Sequence, residues 1–340
     1  MSLQVLELFG GIGAPRKALE RLGLDFEIVD YVEIDKYAVA SYNAIYNETY
    51  NPSDIRNWDK NIEVDFVFHG SPCQDFSSAG TGAGGEKQSQ TRSSLLWETI
   101  RIVKKLHPKI IMWENVASVL HKKHKPVVDA YLKELELLGY QSQILKLNAS
   151  DYGIPQNRTR IYIVSKLHEA PNINLFPKKL ELTLQDVLED TVSETFTISN
   201  KLKRYINSYD KDDKENGAGK YVVSKARLVL NRTIASTIST RTGRNRADCS
   251  DYLSNDFKLN ANICGVDLVP YHIRRLTPLE CWRLQGFDDA SFYRAKEVCS
   301  NTQLYKQAGN SIVVDVLCHI FSSLELNNTP NTLYRDTLSP

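Results

Sequence analysis

The chain has 340 residues, of which 42% are hydrophobic, and a formal net charge of +1. This length allows a sizeable core and two domains. The lack of any apolar run of 18 residues argues against a membrane span, and the first residues do not form a signal-peptide pattern, so we expect a cytoplasmic protein. The six cysteines include no Cys-x-x-Cys pair, so we predict reduced thiols and no metal site.

Residues 3–165 alternate short apolar runs with amphipathic segments. Strands are predicted at 5–9, 26–32, 64–68, 110–113, 142–147 and 161–164, and helices at 14–22, 36–46, 93–106 and 127–138. Strands that alternate with helices of this length are typical of an α/β fold, in which helices cover both faces of a mostly parallel, Rossmann-like sheet.

The composition of the sequence changes near residue 185, where turn-forming residues, charged residues and short β-branched runs become more frequent. We assign 185–302 to a second, smaller and irregular β-rich domain, and 1–184 with 303–328 to the first domain. A final helix is predicted over 307–326, and 329–340 is expected to fray. Between 220 and 275, ten basic residues stand against four acidic ones, an excess that fits a surface facing phosphates.

The segment Phe9-Gly10-Gly11-Ile12-Gly13 lies between the first predicted strand and the first helix. Glycines in this position let the backbone approach a ligand, and the helix N-terminus favours an anionic group. A dinucleotide fingerprint would place a third glycine where Arg16 stands, which weakens a nicotinamide interpretation. Glu33 ends the second strand and can accept hydrogen bonds from ribose, so we predict a nucleoside-containing cofactor.

A thiol and a carboxylate follow two further strands. Cys73 lies in Gly70-Ser71-Pro72-Cys73-Gln74, a turn after the strand at 64–68, and Glu114 follows the strand at 110–113. The carboxyl ends of strands in open α/β sheets line the ligand crevice. This pairing predicts covalent catalysis with acid assistance.

Six short motifs extend this pattern through the chain. They are Phe9-Gly10-Gly11-Ile12-Gly13, Pro72-Cys73-Gln74, Glu114-Asn115-Val116, Gln156-Asn157-Arg158-Thr159-Arg160, Arg275-Leu276-Thr277-Pro278-Leu279-Glu280 and Gln307-Ala308-Gly309-Asn310-Ser311. Together they resemble the ordered motifs of the cytosine-5 DNA methyltransferases, from residue 5 to about residue 318. The resemblance implies methyl transfer from S-adenosylmethionine to carbon 5 of cytosine.

The resemblance also implies roles for the catalytic residues. Cys73 would add to carbon 6 of cytosine, and Glu114, with a pKa raised by burial, would bind and protonate ring nitrogen 3. Pro72 would shape the turn that presents Cys73, and Asn115 would hold the loop of Glu114. Arg160 would contact either the flipped cytosine or the catalytic carboxylate. Arg158 would contact the nearby DNA backbone, and a structural ion pair is the alternative for either arginine.

The implied cofactor pocket combines residues from both ends of the chain. Glycine-loop residues would surround the methionine part, two acidic residues would bind the ribose and the adenine amine, and two residues opening the last helix would close the pocket. In that order, these residues are Phe9, Gly11 and Gly13, then Glu33 and Asp54, then Asn310 and Ser311. The alternative for Asp54 is a turn or cap residue.

The target carbon is inaccessible inside a duplex, so the resemblance implies that the base is flipped out of the helix. The glycine-rich loop 77–92, which ends at Arg92, is predicted to close over bound DNA. A second candidate contact lies in the segment 240–246, which contains Arg241, Arg244, Asn245 and Arg246. Such side chains can read guanine and adenine, but phosphate contacts are equally compatible. The size of the second domain suggests a site of roughly four to six base pairs.

Other functions remain open at this point. A transfer-RNA cytosine-5 methyltransferase would use the same motifs, although the basic second domain favours duplex DNA. A catalytically silent DNA-binding protein is a candidate of another class, against which the presence of both Cys73 and Glu114 argues. We expect a monomer. The sequence leaves open whether a cognate restriction endonuclease acts separately, and thus whether the role is defence, phage self-protection or regulation.

Overall fold

The computed structural model describes residues 2–71, 95–208, 233–242, 252–254, 270, 272–324 and 326. Several predicted site residues lie outside these ranges, namely Pro72, Cys73, Arg92, Arg244, Asn245 and Arg246. The first half of the described chain contains, in order, β1 (Leu3–Leu8), α1 (Ala14–Arg21), β2 (Phe26–Val32), α2 (Lys36–Tyr46), β3 (Phe66–His69), α3 (Leu96–Leu106), β4 (Ile110–Val116), α4 (Lys125–Leu137), β5 (Tyr140–Asn148) and β6 (Thr159–Leu167).

These six strands form one sheet in the order β2-β1-β3-β4-β6-β5. Neighbours from β2 to β4 pair in parallel, whereas β6 is antiparallel to both β4 and β5. The predicted mostly parallel sheet is confirmed. After β1 the chain builds β2 on one side and β3 on the other, so the carboxyl ends of β1 and β3 flank a topological switch point, where such sheets bind ligands.

Alternating side chains of the sheet enter cores on opposite faces, as the two-residue period of a strand requires. On one face, Phe66, Phe68 and Met112 are buried in the same cluster as residues of α1 and α9 (Val314–Ser323). On the other face, Ile111 and Trp113 are buried with residues of α3 and α4. Helices therefore cover both faces, as predicted.

The rest of the described chain is mainly helical. It contains α5 (Asn200–Ser208), β7 (Tyr252–Ser254), β8 (Ile273–Arg275), α6 (Pro278–Arg283), α7 (Asp289–Val298), α8 (Asn301–Asn310) and α9. The strands β7 and β8 form a separate antiparallel pair. Helix α7 packs on α2, and apolar residues of 276–299 share the buried cluster of β1 and α1. Because 209–232, 243–251 and 255–269 lie outside the described residues, the domain boundaries and the β-rich character stay predictions.

Two sequence predictions near the site need correction. Glu114 and Asn115 do not follow β4 but lie within it, because they pair with Tyr162 and Ile161 of β6. The single helix predicted over 307–326 is two helices, so Asn310 and Ser311 close α8 instead of opening the last helix. No helix in the described ranges has the length and apolar character needed to cross a bilayer.

Candidate active site

The glycine loop and the end of β2 are joined by hydrogen bonds to one carboxylate. The amide of Gly11 donates to Oε2 of Glu33 at 3.1 Å, and the amide of Asp35 donates to Oε1 at 2.8 Å. Gly11 and Gly13 have φ values of 55° and 76°, in the left-handed region that glycine adopts without strain. Burial raises the pKa of Glu33. Glu33 is therefore fixed beside the loop, with lone pairs that remain able to accept from a ligand's hydroxyl groups.

The N-terminus of α1 is occupied by a side chain of the protein itself. The fully buried Glu7 of β1 accepts from the amide of Arg16 at 3.1 Å and from the hydroxyl of Tyr42 at 2.8 Å. Burial raises the pKa of Glu7 to about 7. An internal carboxylate thus takes the place where a dinucleotide's diphosphate would bind. This corrects the expectation of an anionic ligand at this helix and argues against a nicotinamide cofactor.

Asp54 directly follows Ser53, whose backbone contacts Glu33. The amide of Ser53 donates to the backbone oxygen of Glu33 at 2.8 Å. Asp54 accepts from the amide of Arg56 at 3.0 Å and caps the short helical turn Ile55–Asn57. The ion pair with the Arg56 guanidinium holds the pKa of Asp54 below its usual value. Asp54 therefore acts as a cap, and its contact with adenine stays a prediction.

Glu114 and Arg160 face each other across the β4–β6 pair. The register pairs Glu114 with Tyr162 and Val116 with Arg160, which places the two charged residues diagonally on one face of the sheet. Nε of Arg160 lies 3.2 Å from Oε1 of Glu114, and the two side chains are only 14% and 12% exposed. Burial raises the pKa of Glu114, although the charge of Arg160 opposes this shift. The raised pKa agrees with the requirement for an acid at this position.

Asn115 connects the strand of this carboxylate to the neighbouring strand end. Its Nδ2 donates to the backbone oxygen of Ser71 at 3.4 Å, and its Oδ1 accepts from the amide of Val116 at 2.8 Å. Ser71 is the last described residue before Pro72 and Cys73. Just before it, the amide of Gly70 donates to the backbone oxygen of Leu8 at 3.4 Å. The end of β3 therefore lies between the glycine loop and Glu114.

Arg158 does not have the position that the sequence suggested. It is only 3% exposed, so the predicted contact with the DNA backbone is corrected. Its Nη1 donates to the backbone oxygen of Ile238 at 2.6 Å. Its Nη2 donates to the backbone oxygens of Ser311 at 2.6 Å and Gly309 at 3.1 Å. Arg158 therefore satisfies carbonyl groups left free where α8 ends, and joins that end to the segment 233–242.

Neighbouring residues of the same motif hold the segment 233–242 along its length. Gln156 accepts from the amide of Ile238 at 3.0 Å and donates to the backbone oxygen of Leu284 at 2.6 Å. The amide of Asn157 donates to the backbone oxygen of Ala235 at 2.8 Å. These hydrogen bonds fix the segment, up to the turn at residues 239–242, to the turn that leads to Arg160.

Arg241 is presented on a turn closed by hydroxyl groups. The amide of Ser239 donates to Oγ1 of Thr242 at 3.0 Å, and the amide of Arg241 donates to Oγ of Ser239 at 3.2 Å. The Arg241 side chain is exposed, whereas Thr242 is buried. This arrangement leaves the Arg241 guanidinium accessible to a macromolecule.

Helix α8 is tied to the loop that carries Glu33. Nζ of Lys306 lies 2.5 Å from Oδ2 of Asp35, and Nε2 of Gln307 donates to the backbone oxygen of Tyr37 at 2.9 Å. At the end of this helix, Asn310 is exposed and Ser311 is buried. The end of α8 thus lies between the Glu33 loop and Arg158.

The motif Arg275-Leu276-Thr277-Pro278-Leu279-Glu280 has a structural explanation. Thr277 and Glu280 form a capping box at the start of α6. The fully buried Glu280 also accepts from both Nη atoms of Arg274, at 2.9 and 2.8 Å. This paired, hydrogen-bonded charge fixes α6 to β8, and no chemical step is required of it.

Substituting Gly309 by alanine should both displace the segment 233–242 and destabilise the fold. A Cβ at Gly309 would overlap the backbone of Ser239 and Thr240, which cannot rotate away as a side chain could. The segment carrying Arg241 must then shift. For the DNA contact that the sequence predicts for this segment, we expect KM for DNA to rise at least about tenfold, with a stability loss of about 1–3 kcal/mol from overpacking. Steady-state methylation and thermal unfolding measure the two effects.

The matched control for this substitution is Gly23→Ala. Gly23 has a φ of 62° and nothing within 4 Å of a Cβ, so alanine there adds backbone strain without touching the segment 233–242. We expect its KM to match that of the unsubstituted protein. Equal rises in KM for the two variants would show that general destabilisation, and not displacement of the segment, is responsible.

A mostly parallel sheet with a glycine loop after β1, an acidic residue after β2 and an internally occupied helix N-terminus defines a Rossmann-like methyltransferase fold. Solved structures agree. The Entamoeba histolytica methyltransferase EhMeth has a TM-score of 0.74 at 19% identity, covering 96% of this chain and 98% of that one. A Spodoptera frugiperda DNMT2 variant has a TM-score of 0.73 at 20% identity, with 95% and 99% covered.

Sequence relatives narrow the class to one family. The type II methyltransferase M2.ScrFI of Lactococcus lactis subsp. cremoris is 34% identical, with 95% of this chain and 99% of the relative covered. The orphan methyltransferase M.SPBetaI of Bacillus phage SPbeta is 29% identical, with 95% and 97% covered. The sequence model for C-5 cytosine-specific DNA methylases matches residues 3–326, and the chain belongs to that family.

Proposed function

We propose that this DNA cytosine-5 methyltransferase uses S-adenosylmethionine to methylate a flipped-out cytosine, in a short duplex site, through a covalent adduct with Cys73. The observation that carries the proposal is the Glu114–Arg160 pair. Glu114 is only 12% exposed and has a raised pKa. It lies in β4, whose Asn115 donates to the backbone oxygen of Ser71, and Ser71 precedes Cys73 by two residues. This arrangement supports Glu114 as an acid beside the strand end that leads to the thiol.

The residues around the glycine loop fit this cofactor. The loop has no free helix N-terminus for a phosphate, because Glu7 occupies it. A Cβ at Gly11 would meet nothing within 4 Å, so the loop borders open space at Gly11, whereas Gly13 packs against Tyr42 and Tyr46. We infer that Phe9, Gly11 and Gly13 hold the methionine part, and that Glu33 accepts from the ribose hydroxyls. When bound, the cofactor supplies an electrophilic methyl group on a positively charged sulfur.

The remaining contacts to the cofactor are proposed for residues at the edge of this loop. Asp54 would bind the adenine amine while it continues to cap its turn. Asn310 and Ser311 would close the pocket from the end of α8, which Lys306 ties to Asp35.

The chemical work of the protein is to make carbon 5 of cytosine nucleophilic. The Cys73 thiolate would donate its electron pair to carbon 6, forming a carbon–sulfur bond while Glu114 delivers its proton to nitrogen 3. The ring then becomes an enamine with electron density on carbon 5. Arg160 would keep Glu114 oriented and neutralise the carboxylate that proton transfer leaves behind. After carbon 5 has taken the methyl group, a base would remove the carbon 5 proton, and the electrons of that C–H bond would form the carbon 5–carbon 6 double bond. The carbon–sulfur electrons would return to Cys73 and the nitrogen 3 proton to Glu114, which restores the aromatic ring.

Recognition of DNA is proposed for 185–302, with 1–184 and 303–328 as the catalytic part. Flipping the base costs a few kcal/mol, which contacts to the rest of the duplex must offset. Arg241 is available for such a contact, since it is exposed on a fixed turn. We propose the same role for Arg244, Asn245, Arg246 and Arg92. We propose a monomer. Because the named relatives include type II and orphan methyltransferases, we propose that it works alone or alongside a separate cognate endonuclease.

The test is a comparison of substrates. The purified protein should transfer tritiated methyl from S-adenosylmethionine to mixed-sequence duplex DNA, and the product base should co-migrate with 5-methylcytosine. Transfer to transfer RNA should be at least about 100-fold slower, because the DNA-reading contacts would not be satisfied there. Sequencing the methylated DNA would then give the recognition site. Faster transfer to RNA, or a product other than 5-methylcytosine, would contradict the proposal.

A further inference from the structure

A run of five basic residues begins shortly after β4 and ends with the first residue of α4. It is His121-Lys122-Lys123-His124-Lys125, here called the basic turn. All of its members are exposed except His124, which is 7% exposed. The amides of His124 and Lys125 both donate to the backbone oxygen of His121, at 2.8 and 2.9 Å. The basic turn is therefore a defined structural element that directs its lysines towards solvent.

The basic turn leaves the sheet at the edge where the catalytic carboxylate lies. Glu114 lies near the carboxyl end of β4, which ends at Val116. A short helical turn (Ala117–Leu120) follows directly. Val119 in that turn is fully buried among residues of α3 and α4, which anchors the connection. A strand rises by about 3.3 Å per residue and a 3-10 helix by about 2.0 Å, so the backbone from Glu114 to Lys122 can span roughly 20 Å at most. That is about six base-pair steps of 3.4 Å along a duplex.

The charge of the basic turn works against the stability of the helix it precedes. Basic residues at the start of a helix face the positive end of its dipole, and α4 has neither an acidic residue in its first turn nor a side-chain cap. Lys125 is offset by Asp129 at 2.7 Å. Within the described part of the chain, Lys122 and Lys123 form no ion pair. A feature that opposes local stability is expected where function requires it.

We propose that Lys122 and Lys123 bind the phosphate backbone of duplex DNA beside the flipped cytosine. This inference rests on the proposed function and adds a second DNA contact surface, on the catalytic part and separate from the segment carrying Arg241. Lysine binds phosphate as a point charge and reads no base, so the contact is independent of sequence. It would hold the duplex on one side of the flipped cytosine, while contacts to the bases determine which sequence is bound.

The test is the salt dependence of DNA binding by Lys122→Gln/Lys123→Gln, since each phosphate contact contributes about 0.9 to the slope of log K against log salt. The double variant should lose about 1.8 from that slope and bind duplex DNA about 10- to 60-fold more weakly at 0.1 M salt. The loss should be equal for methylatable and unrelated duplexes, with kcat at saturating DNA unchanged. The melting temperature should equal or exceed that of the unsubstituted protein, because charge opposing the α4 dipole is removed.

The control is Lys133→Gln, which removes an exposed lysine of α4 that is paired with Glu136. It should leave the salt slope unchanged. The proposal is overturned if the double variant keeps the full slope, if Lys133→Gln loses as much, if the loss appears only on duplex RNA, or if kcat at saturation falls. An unsubstituted protein that methylates no DNA would refute the proposed function. An active protein with an unaffected double variant would refute only the phosphate contact.

Discussion

Cys73→Ala should form no covalent adduct with duplex DNA containing 5-fluorocytosine and should lose at least about 10⁴-fold in methyl transfer, a loss typical of removing a nucleophile. Fluorine replaces the hydrogen at carbon 5 and cannot leave as a cation. Elimination is therefore blocked, and an enzyme that adds through sulfur remains attached to the ring. Without the thiol, carbon 5 stays a poor nucleophile. The adduct is measured as a band of lower mobility on a denaturing gel.

Cys299→Ala is the matched control, since it removes a thiol from a described and buried position. The Cys299 thiol accepts from the hydroxyl of Ser41 at 3.3 Å and donates to the backbone oxygen of Tyr37 at 3.4 Å, far in the chain from the strand ends of β3 and β4. Its trapping yield should equal that of the unsubstituted protein. An undiminished adduct from Cys73→Ala would refute Cys73 as the nucleophile. Duplex affinity should be unchanged in both variants, which separates chemistry from binding.

The sheet could be predicted because its pattern is local. The strand at 26–32 and the helix at 36–46 have the predicted bounds. Apolar periodicity marks both elements, and a capping aspartate, Asp35, marks the start of the helix. The antiparallel direction of β6 has no local signal. It depends on where the chain re-enters the sheet, and the same apolar run would suit either direction.

The extension of β4 through Glu114 is a similar case. A glutamate and an asparagine are poor strand residues, so sequence reasoning ends the strand before them. In the structure, cross-strand pairing with β6 carries the strand on to Val116. Propensity was overridden by tertiary contact, because β4 pairs with β6 along its whole length in the interior of the sheet.

Arg158 and Glu7 show why a motif locates a site better than it assigns roles. Sequence reasoning expects Arg158 at the DNA backbone or in an ion pair, and it assigns no role to Glu7 within the predicted strand at 5–9. The structure buries both, with Arg158 on three backbone oxygens and Glu7 on a helix N-terminus. Each satisfies backbone groups that would otherwise be buried without partners. Such partners lie 80 to 153 residues away for Arg158, so no spacing rule could reveal them.

The break between α8 and α9 follows from the same contact. Apolar residues continue at helical spacing through 307–326, so periodicity alone predicts one helix. In the structure, the Arg158 guanidinium donates to the backbone oxygens of Gly309 and Ser311. A continuous helix would use these oxygens in its own backbone hydrogen bonds, so the helix ends here. The close approach of Ser239 and Thr240 to Gly309 completes this junction. The segment 233–242 and β6, the strand that carries Arg160, are therefore positioned by one set of backbone contacts.

Glu114→Gln should lower kcat by about 10²- to 10⁴-fold while KM for DNA changes only a few-fold, the range expected for loss of a general acid or of one charge-stabilising group. Glutamine keeps the shape and can still accept from Nε of Arg160, but it has no proton to give to nitrogen 3. Single-turnover methylation at saturating DNA and cofactor measures the effect. Glu98→Gln is the control, because it removes a carboxylate paired with Arg101 at 2.8 Å, outside the site, and should leave kcat unchanged.

The pH profile separates proton donation by Glu114 from simple binding. Burial raises the pKa of Glu114, so the carboxyl stays protonated to higher pH than an exposed glutamate would. As pH rises through that pKa the acid is lost and kcat should fall, whereas Cys73 requires deprotonation and makes kcat rise from the acidic side. The residual activity of Glu114→Gln should keep the rising limb and lose the falling one. A variant that keeps both limbs, or that raises KM at constant kcat, would show that Glu114 binds cytosine without acting as its acid.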